Sequence, residues 1–145
     1  MEALAAYRHS IGIKVEGSGV PALVPSFKEL DFGSRQCRDA VLANIERLEF
    51  REPTPVQMQA VPAALAGRDV LACAPTGSGK TLAYMLPLII QLRGPVRAPG
   101  VKAIVLAPTQ ELAHQIVREA RKYAASLGLK IAMLTKSNAA GNERV

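Results

Sequence analysis

Residues 70–84, VLACAPTGSGKTLAY, constrain this chain more than any other stretch. The apolar run 69–73 reads as a strand, stopped by Ala74 and Pro75. Gly77, Ser78 and Gly79 follow, with small or no side chains, so the backbone can curl tightly and turn several N–H groups inward. Lys80 and Thr81 then open a segment of helical pattern, TLAYMLPLIIQLR, whose N-terminus brings its partial positive charge to the same point. A nest of amides beside a lysine suits an anion carrying several oxygens, and a polyphosphate above all.

The usual phosphate-loop pattern is G-x-x-x-x-G-K-[ST], and this chain departs from it only in carrying Ala74 at the first glycine. In such a loop the amides cradle the phosphates, the lysine reaches the β and γ phosphates, and the Ser/Thr hydroxyl ligates magnesium. The plainer alternative is a flexible Gly-Ser connector that happens to precede Lys-Thr. A strand before the loop and a helix after it argue against that.

Elements alternate from Asp69 onward: strand 69–73, helix 80–93, loop 94–100, strand 102–107, helix 109–127 and strand 130–134. Pro87 predicts a kink or local break in the first of these helices. Strands joined by helices of this length form right-handed crossovers and a parallel sheet flanked by helices, with ligands at the carboxyl ends of the strands. Upstream, Cys37, Val41, Leu42, Ile45 and Leu48 fall on one face of a helix that starts at Ser34 and ends near Phe50. A second helix covers 54–65, with Thr54 as N-cap, Pro55 at the first helical position and Gly67 just past the end. Residues 1–26 hold a short helical pattern, a β-like IGIKV and then Gly17, Gly19, Pro21 and Pro25; they read as an extension with no core of its own. The polar segment 135–145 has no strand after it. At 145 residues the chain is one domain's worth, yet three strands leave an open edge, so it is expected to be the front part of a larger domain.

A formal net charge of +6 fits a polyanionic partner. Cys37 and Cys73 are too few for a disulfide framework and both lie in apolar patterns, so both are expected to be reduced core residues. His9 and His114 stand alone and are expected to be structural or solvated, and no cysteine–histidine cluster suggests a metal. No run reaches the roughly eighteen apolar residues that a membrane span requires. A soluble, intracellular protein without membrane partners is expected.

FREPTPVQ, residues 50–57, supports two readings. Thr54 and Gln57 have the spacing of a capping box, in which Gln57 only closes the start of its own helix. A glutamine amide also presents a donor and an acceptor together, as the N6 and N7 edge of adenine requires, and Phe50 lies near enough in sequence to rest on a base.

FREPTPVQ resembles the Q motif, APTGSGKT motif I and PTQELA (108–113) motif Ia of the DEAD-box RNA helicases, in that family's order and with about its spacing. The resemblance covers 26 to about 134 and removes the anomaly of Ala74, because the family's loop reads A-x-T-G-x-G-K-T. It implies a partial RecA-like P-loop NTPase domain of the α/β class: residues 1–26 an extension, 27–145 the N-terminal part of the ATP-binding domain, truncated before the D-E-A-D stretch. By the same resemblance the cofactors are ATP and Mg2+. The nucleotide site would comprise Phe27, Phe50, Arg51, Thr54, Gln57 and the loop Ala74, Pro75, Thr76, Gly77, Ser78, Gly79, Lys80 and Thr81. Lys80 and Thr81 carry the catalytic roles, and Thr81 the metal. Phe32 is the alternative to Phe27 as the aromatic upstream of the Q motif. RNA would be gripped at Pro108, Thr109, Gln110 and Glu111.

Two positions depart from the family. Gln110 replaces the arginine of motif Ia, which removes a charged phosphate partner, and Glu49 stands where the Q motif usually has glycine. The long spacer after Phe27, the wording ACAPTGSGKT and the segment 135–145 resemble the branch acting in small-ribosomal-subunit assembly, implying pre-rRNA as substrate and a nucleolar setting. The expected whole protein is an ATP-dependent RNA helicase, a monomer, and this part alone is expected to be inactive. The alternatives are a non-catalytic nucleotide-binding module and another P-loop NTPase.

Overall fold

The computed structural model describes residues 2–92, 100–125 and 127–135. Its elements are α1 (Glu2–Ser10), a 3-10 turn (Phe27–Glu29), α2 (Arg35–Arg47), α3 (Pro55–Leu65), α4 (Lys80–Leu92) and α5 (Gln110–Tyr123). Local chemistry sets where they begin. The Ser34 hydroxyl accepts from the Cys37 N–H at 3.2 Å at the head of α2, and the Thr109 hydroxyl accepts from the Leu112 N–H at 3.2 Å at the head of α5. Each satisfies one of the amides that a helix start leaves without a partner.

The ends of α2 and α3 share one motif. At α3 the Gly67 N–H bonds to Ala64 O at 3.0 Å and the Arg68 N–H to Ala63 O at 3.1 Å, with Gly67 at φ 71. At α2 the Glu49 N–H bonds to Glu46 O at 2.9 Å and the Phe50 N–H to Ile45 O at 3.1 Å. This paired closure requires a left-handed residue, usually glycine. In α2 that residue is Glu49, at φ 60 and the one non-glycine with positive φ among the described residues. The departure noted in the sequence is thus a local backbone strain.

α4 is the hub of the core. Leu82, Met85, Leu86, Ile89 and Ile90 are buried, and both α3 and α5 pack on the helix. Burying a leucine or isoleucine side chain contributes roughly 1.5–3 kcal/mol, so this one helix carries a large part of the apolar stabilisation. It passes through the buried Pro87 without the local break that was one of the two expectations there. Phe27, Phe32, Val41 and Ile45 close the cluster from the upstream side. α1 buries none of its residues but is fastened to α3 by polar bonds. Arg8 Nε donates to Gln59 Oε1 at 2.8 Å, and Arg8 Nη2 and Gln59 Nε2 both donate to Pro21 O, at 3.0 and 3.1 Å.

Asn44, in the middle of the buried face of α2, was not foreseen. Its Nδ2 donates to Lys122 O at 3.3 Å and to Tyr123 O, while its Oδ1 accepts from Arg47 Nε at 3.1 Å and Nη2 at 2.8 Å. Arg47 Nη2 also donates to Lys122 O at 3.1 Å. Asn44 and Arg47 therefore cap the C-terminus of α5, which stops at Tyr123 and not at 127 as expected.

The larger correction concerns the sheet. The segments 69–73, 102–107 and 130–134, and the β-like 11–15, form no strand among the described residues. Leu71 is 94% exposed, Ile104 76% and Leu106 88%. A helix completes its hydrogen bonds within one segment, whereas a strand needs a neighbour for every bond it makes. Cys73 is accordingly exposed rather than in the core; Cys37 is buried as expected. His9 and His114 are exposed. Most of the loop expected at 94–100 and of the polar segment 135–145 lies outside the described residues. No helix among the described residues is long and apolar enough to cross a membrane.

Replacing Asn44 by Leu removes the side-chain donor to Tyr123 O and one of the two to Lys122 O, and should lower stability by about 1–3 kcal/mol in urea denaturation. Replacing Glu49 by Gly should raise it by up to about 1 kcal/mol, the left-handed strain being relieved but partly offset by glycine's backbone entropy.

Candidate functional site

The loop 74–79 leads directly into α4. It turns on Ser78, whose N–H donates to Pro75 O at 3.3 Å, and on Gly77 and Gly79, at φ 81 and φ 89. The Lys80 side chain bends back across it, with Nζ donating to Ala74 O at 2.5 Å and to Pro75 O at 2.7 Å. An ammonium has three donors and no acceptor, so one proton remains, and the two carbonyls are partners that an anion can replace.

Gln57 connects the loop to the rest of the protein. It is 5% exposed. Of the capping box between Thr54 and Gln57, the half that is made has the Thr54 N–H donating to Gln57 Oε1 at 3.0 Å, and the Thr54 hydroxyl makes no cap hydrogen bond. The other end of the same amide, Nε2, donates to Gly79 O at 3.0 Å. Gly79 O also receives the first hydrogen bond of α4, from the Ala83 N–H at 3.1 Å. The two readings of Gln57 are therefore compatible: one lone pair and one N–H are spent on the fold, and one of each remains.

This packing explains a glycine. A Cβ on Gly79 would lie 2.4 Å from Gln57 Nε2 and 3.1 Å from Thr54 Oγ1, whereas one on Gly77 would meet nothing within 4 Å. Two hydroxyl oxygens at this junction, Thr54 Oγ1 and Ser78 Oγ, are buried without a hydrogen-bond partner. Buried polar atoms normally have partners, so orphans beside an amide nest mark a place equipped for a polar ligand.

Around this junction, Phe27 lines a shallow recess together with Pro53 and Gln57, while Phe32 packs in the core outside that lining. Phe50 is 37% exposed and sets one ring against Tyr123, centroids 6.1 Å apart and tilted by 55°. Arg51 is exposed. Pro108, Thr109, Gln110 and Glu111 are exposed at the start of α5, where the Thr109 hydroxyl is already engaged as N-cap. The structure thus brings together Thr54, Gln57, Gly79, Lys80, Ala74 and Pro75 by hydrogen bonds, and leaves 108–111 on a separate helix start.

Sequence reasoning missed the tyrosines. Tyr84 stands three residues after Thr81; burial holds the Tyr84 phenol above its ordinary range, and the neighbouring Thr81 hydroxyl offsets part of that. Tyr123 is pushed up to about 12, first by burial and then by the neighbouring Glu119 carboxylate. The spacing of Tyr84 from Thr81 was legible; the approach of Tyr123 to Phe50 joins segments too far apart in sequence to be read.

Among the described residues no three His, Cys, Asp or Glu side chains gather as a metal site. A divalent ion here would have to arrive with phosphates, Thr81 being the half-buried hydroxyl at the helix start suited to receive it.

The sequence profile of DEAD/DEAH box helicases matches residues 54–144, more than half of the chain. The chain is 43% identical over 136 residues to DEAD-box ATP-dependent RNA helicase 57 of Oryza sativa subsp. japonica, a match covering 94% of this chain and 25% of that protein. It is 42% identical over 125 residues to ATP-dependent RNA helicase ROK1 of Lodderomyces elongisporus, covering 85% and 22%. Among solved structures it resembles the RNA helicase Prp28 from Chaetomium thermophilum bound to ADP, with a TM-score of 0.78 and 36% identity over 90% of this chain and 31% of the other. These structural neighbours are helicases with RecA-like domains, and the chain spans about a quarter of the length of the curated relatives it matches.

Gly79→Ala should destabilise the fold by about 1 kcal/mol or more beyond Gly77→Ala, because both strain the backbone but only the former drives a methyl into Gln57. Thermal or urea unfolding of the two variants checks this; equal losses would show that the Gln57 contact carries no weight.

Proposed function

The chain belongs to the DEAD/DEAH box helicase family, and on that premise we propose that it is the ATP-binding front part of an ATP-dependent RNA helicase. The observation that carries the reading is the shared amide of Gln57, which grips Gly79 O while keeping a donor and an acceptor in reserve. Those reserves read the adenine edge, with Phe27 in the same recess and Phe50 offering its free face to the base. The amides of 76–81 surround the phosphates. Lys80 exchanges the carbonyls of Ala74 and Pro75 for the far phosphate, where its charge is most needed. Magnesium, when bound with the nucleotide, neutralises phosphate charge, and Thr81 is the residue that would hold it.

RNA is the proposed second ligand. The start of α5 presents amides and a partial positive charge to a backbone phosphate, with Thr109 and its neighbours Pro108, Gln110 and Glu111 around it. Gln110 contributes a neutral contact where the family has a charged one. Residues 1–26 act as an extension fastened to α3, and 27–145 as the N-terminal part of a RecA-like domain. Its parallel sheet forms from 69–73, 102–107 and 130–134 once further strands pair with them; the solvent-facing Leu71, Ile104 and Leu106 support this. A ribosome-assembly role on pre-rRNA, in the nucleolus, rests on the sequence wording around the phosphate loop and on the long spacer after Phe27.

The 145 residues contain no D-E-A-D stretch. Positioning of both nucleotide and attacking water is required for phosphoryl transfer, so this chain alone should bind nucleotide without turning it over. In displacement of a fluorescent ADP analogue, ATP and ADP should outcompete GTP by roughly tenfold or more, the range expected when a hydrogen-bonding edge is mismatched. Lys80→Ala should weaken all of them. Equal displacement by GTP would remove the adenine reading and favour another P-loop NTPase.

A further inference from the structure

α1 buries none of its residues, yet the segment that follows it is bonded to α3 and to the turn beyond it at three points. Arg68 Nη2 donates to Ser18 O at 2.6 Å, Gln59 Nε2 to Pro21 O at 3.1 Å, and the Val24 N–H to Met58 O at 2.9 Å. Residues 18–24 therefore run back along α3 toward the end that carries Gln57. The third bond is prepared by the helix itself. Inside an α-helix Met58 O accepts from the N–H four residues on, but that residue is Pro62, which has none. Val24 supplies the missing donor.

Arg8 clamps the middle of this segment. Its Nε donates to Gln59 Oε1 at 2.8 Å and its Nη2 to Pro21 O at 3.0 Å. These two N–H groups lie along one edge of the planar guanidinium, so a single side chain fixes the helix and the passing backbone together. Arg8 is itself held at the end of α1, where the Ile13 N–H bonds to Arg8 O at 2.8 Å and the Gly12 N–H to His9 O at 3.1 Å, with Gly12 at φ 72. Beyond Val24, the Ser26 hydroxyl accepts from the Lys28 N–H at 3.3 Å and turns the chain into the 3-10 helix that buries Phe27. Val24 and Phe27 then line one recess with Pro53 and Gln57. One wall of that recess comes from α3 and its approach, and the other from the segment that Arg8 ties down.

Resting on the nucleotide reading above, we infer that Arg8 is a positioning residue for the adenine end of the site: through Gln59 and Pro21 it fixes residues 18–24 on α3, and so holds Val24 and Phe27 in register with Gln57. Its partners are Gln59 and Pro21, and not the phosphate loop. Releasing the clamp lets one wall of the recess shift, while the core around α4 and the loop 74–81 keep their own contacts. The loss therefore falls on the base and leaves the phosphates alone. The N-terminal extension, which has no core of its own, acts through this clamp as part of the nucleotide site.

The test measures the affinity of the 145-residue chain for ADP and for inorganic tripolyphosphate by calorimetry, in the wild type, Arg8→Ala and Gln59→Ala. Arg8→Ala should weaken ADP by roughly three- to tenfold, the range that changes remote from a ligand produce through packed networks, with tripolyphosphate unchanged. Gln59→Ala, which keeps the arginine charge and opens the same clamp, should show the same selective loss. Two results overturn the inference: ADP affinity unchanged in both variants, or an equal weakening of ADP and tripolyphosphate, which would reduce the clamp to a general support of the fold or a source of charge. If the wild type binds neither ligand, the nucleotide reading itself fails and takes this inference with it, an outcome distinct from both.

Discussion

The Gln57 side chain is the bond on which the site depends. It begins α3 at one end, by accepting from Thr54, and holds the start of α4 at the other, by donating to Gly79 O. The two helices that pack most closely on each other are thereby joined at their N-termini as well as along their apolar faces. The geometry leaves no room at Gly79, which is why the loop's last glycine is a steric requirement, whereas Gly77 needs only its backbone freedom. A buried amide satisfied at both ends also fixes a direction, so the orphaned hydroxyls of Thr54 and Ser78 are held in place beside the loop.

Charge completes what that bond positions. With no ligand, Lys80 satisfies two of its donors on carbonyls of the loop it serves. These are neutral partners, and a phosphate oxygen makes a stronger, charge-assisted bond with the same ammonium. Under the proposed function the lysine would need to move little to meet a phosphate. The far end of the molecule uses a similar economy: Asn44 and Arg47 supply donors to the carbonyl end of α5, where the helix dipole is negative and Arg47 adds a favourable charge. That cap brings Tyr123 to Phe50 and so links the helix that begins at Thr109 to the turn that precedes the Gln57 segment.

The unformed sheet shows where such local economies stop. The five α-helices and the 3-10 turn among the described residues are made of bonds between residues a few positions apart. The apolar segments 69–73, 102–107 and 130–134 have the composition of strands, but composition supplies no hydrogen-bond partner. Their exposure, with Leu71 and Leu106 nearly bare, accompanies the lack of any strand pairing among the described residues.

Much of the site was legible in the sequence because it is local: the glycines and Lys80 of the loop 74–81, the Thr54–Gln57 spacing, the helix starts at Ser34 and Thr109, and the misfit of Glu49 in a position that wants glycine. Each follows from interactions within about six residues, where spacing dictates geometry. Helix 109–127 was read too long because its end is set by Asn44, from another helix. The placing of Cys73 failed for the same reason, since burial depends on what covers a segment. Only the tertiary structure decided that Gln57 has a second bond at Gly79, that Phe27 rather than Phe32 lines its recess, and that Phe50 meets Tyr123. Those contacts join positions tens of residues apart, and which of the many possible long-range pairs forms is fixed by the packing of whole helices on α4.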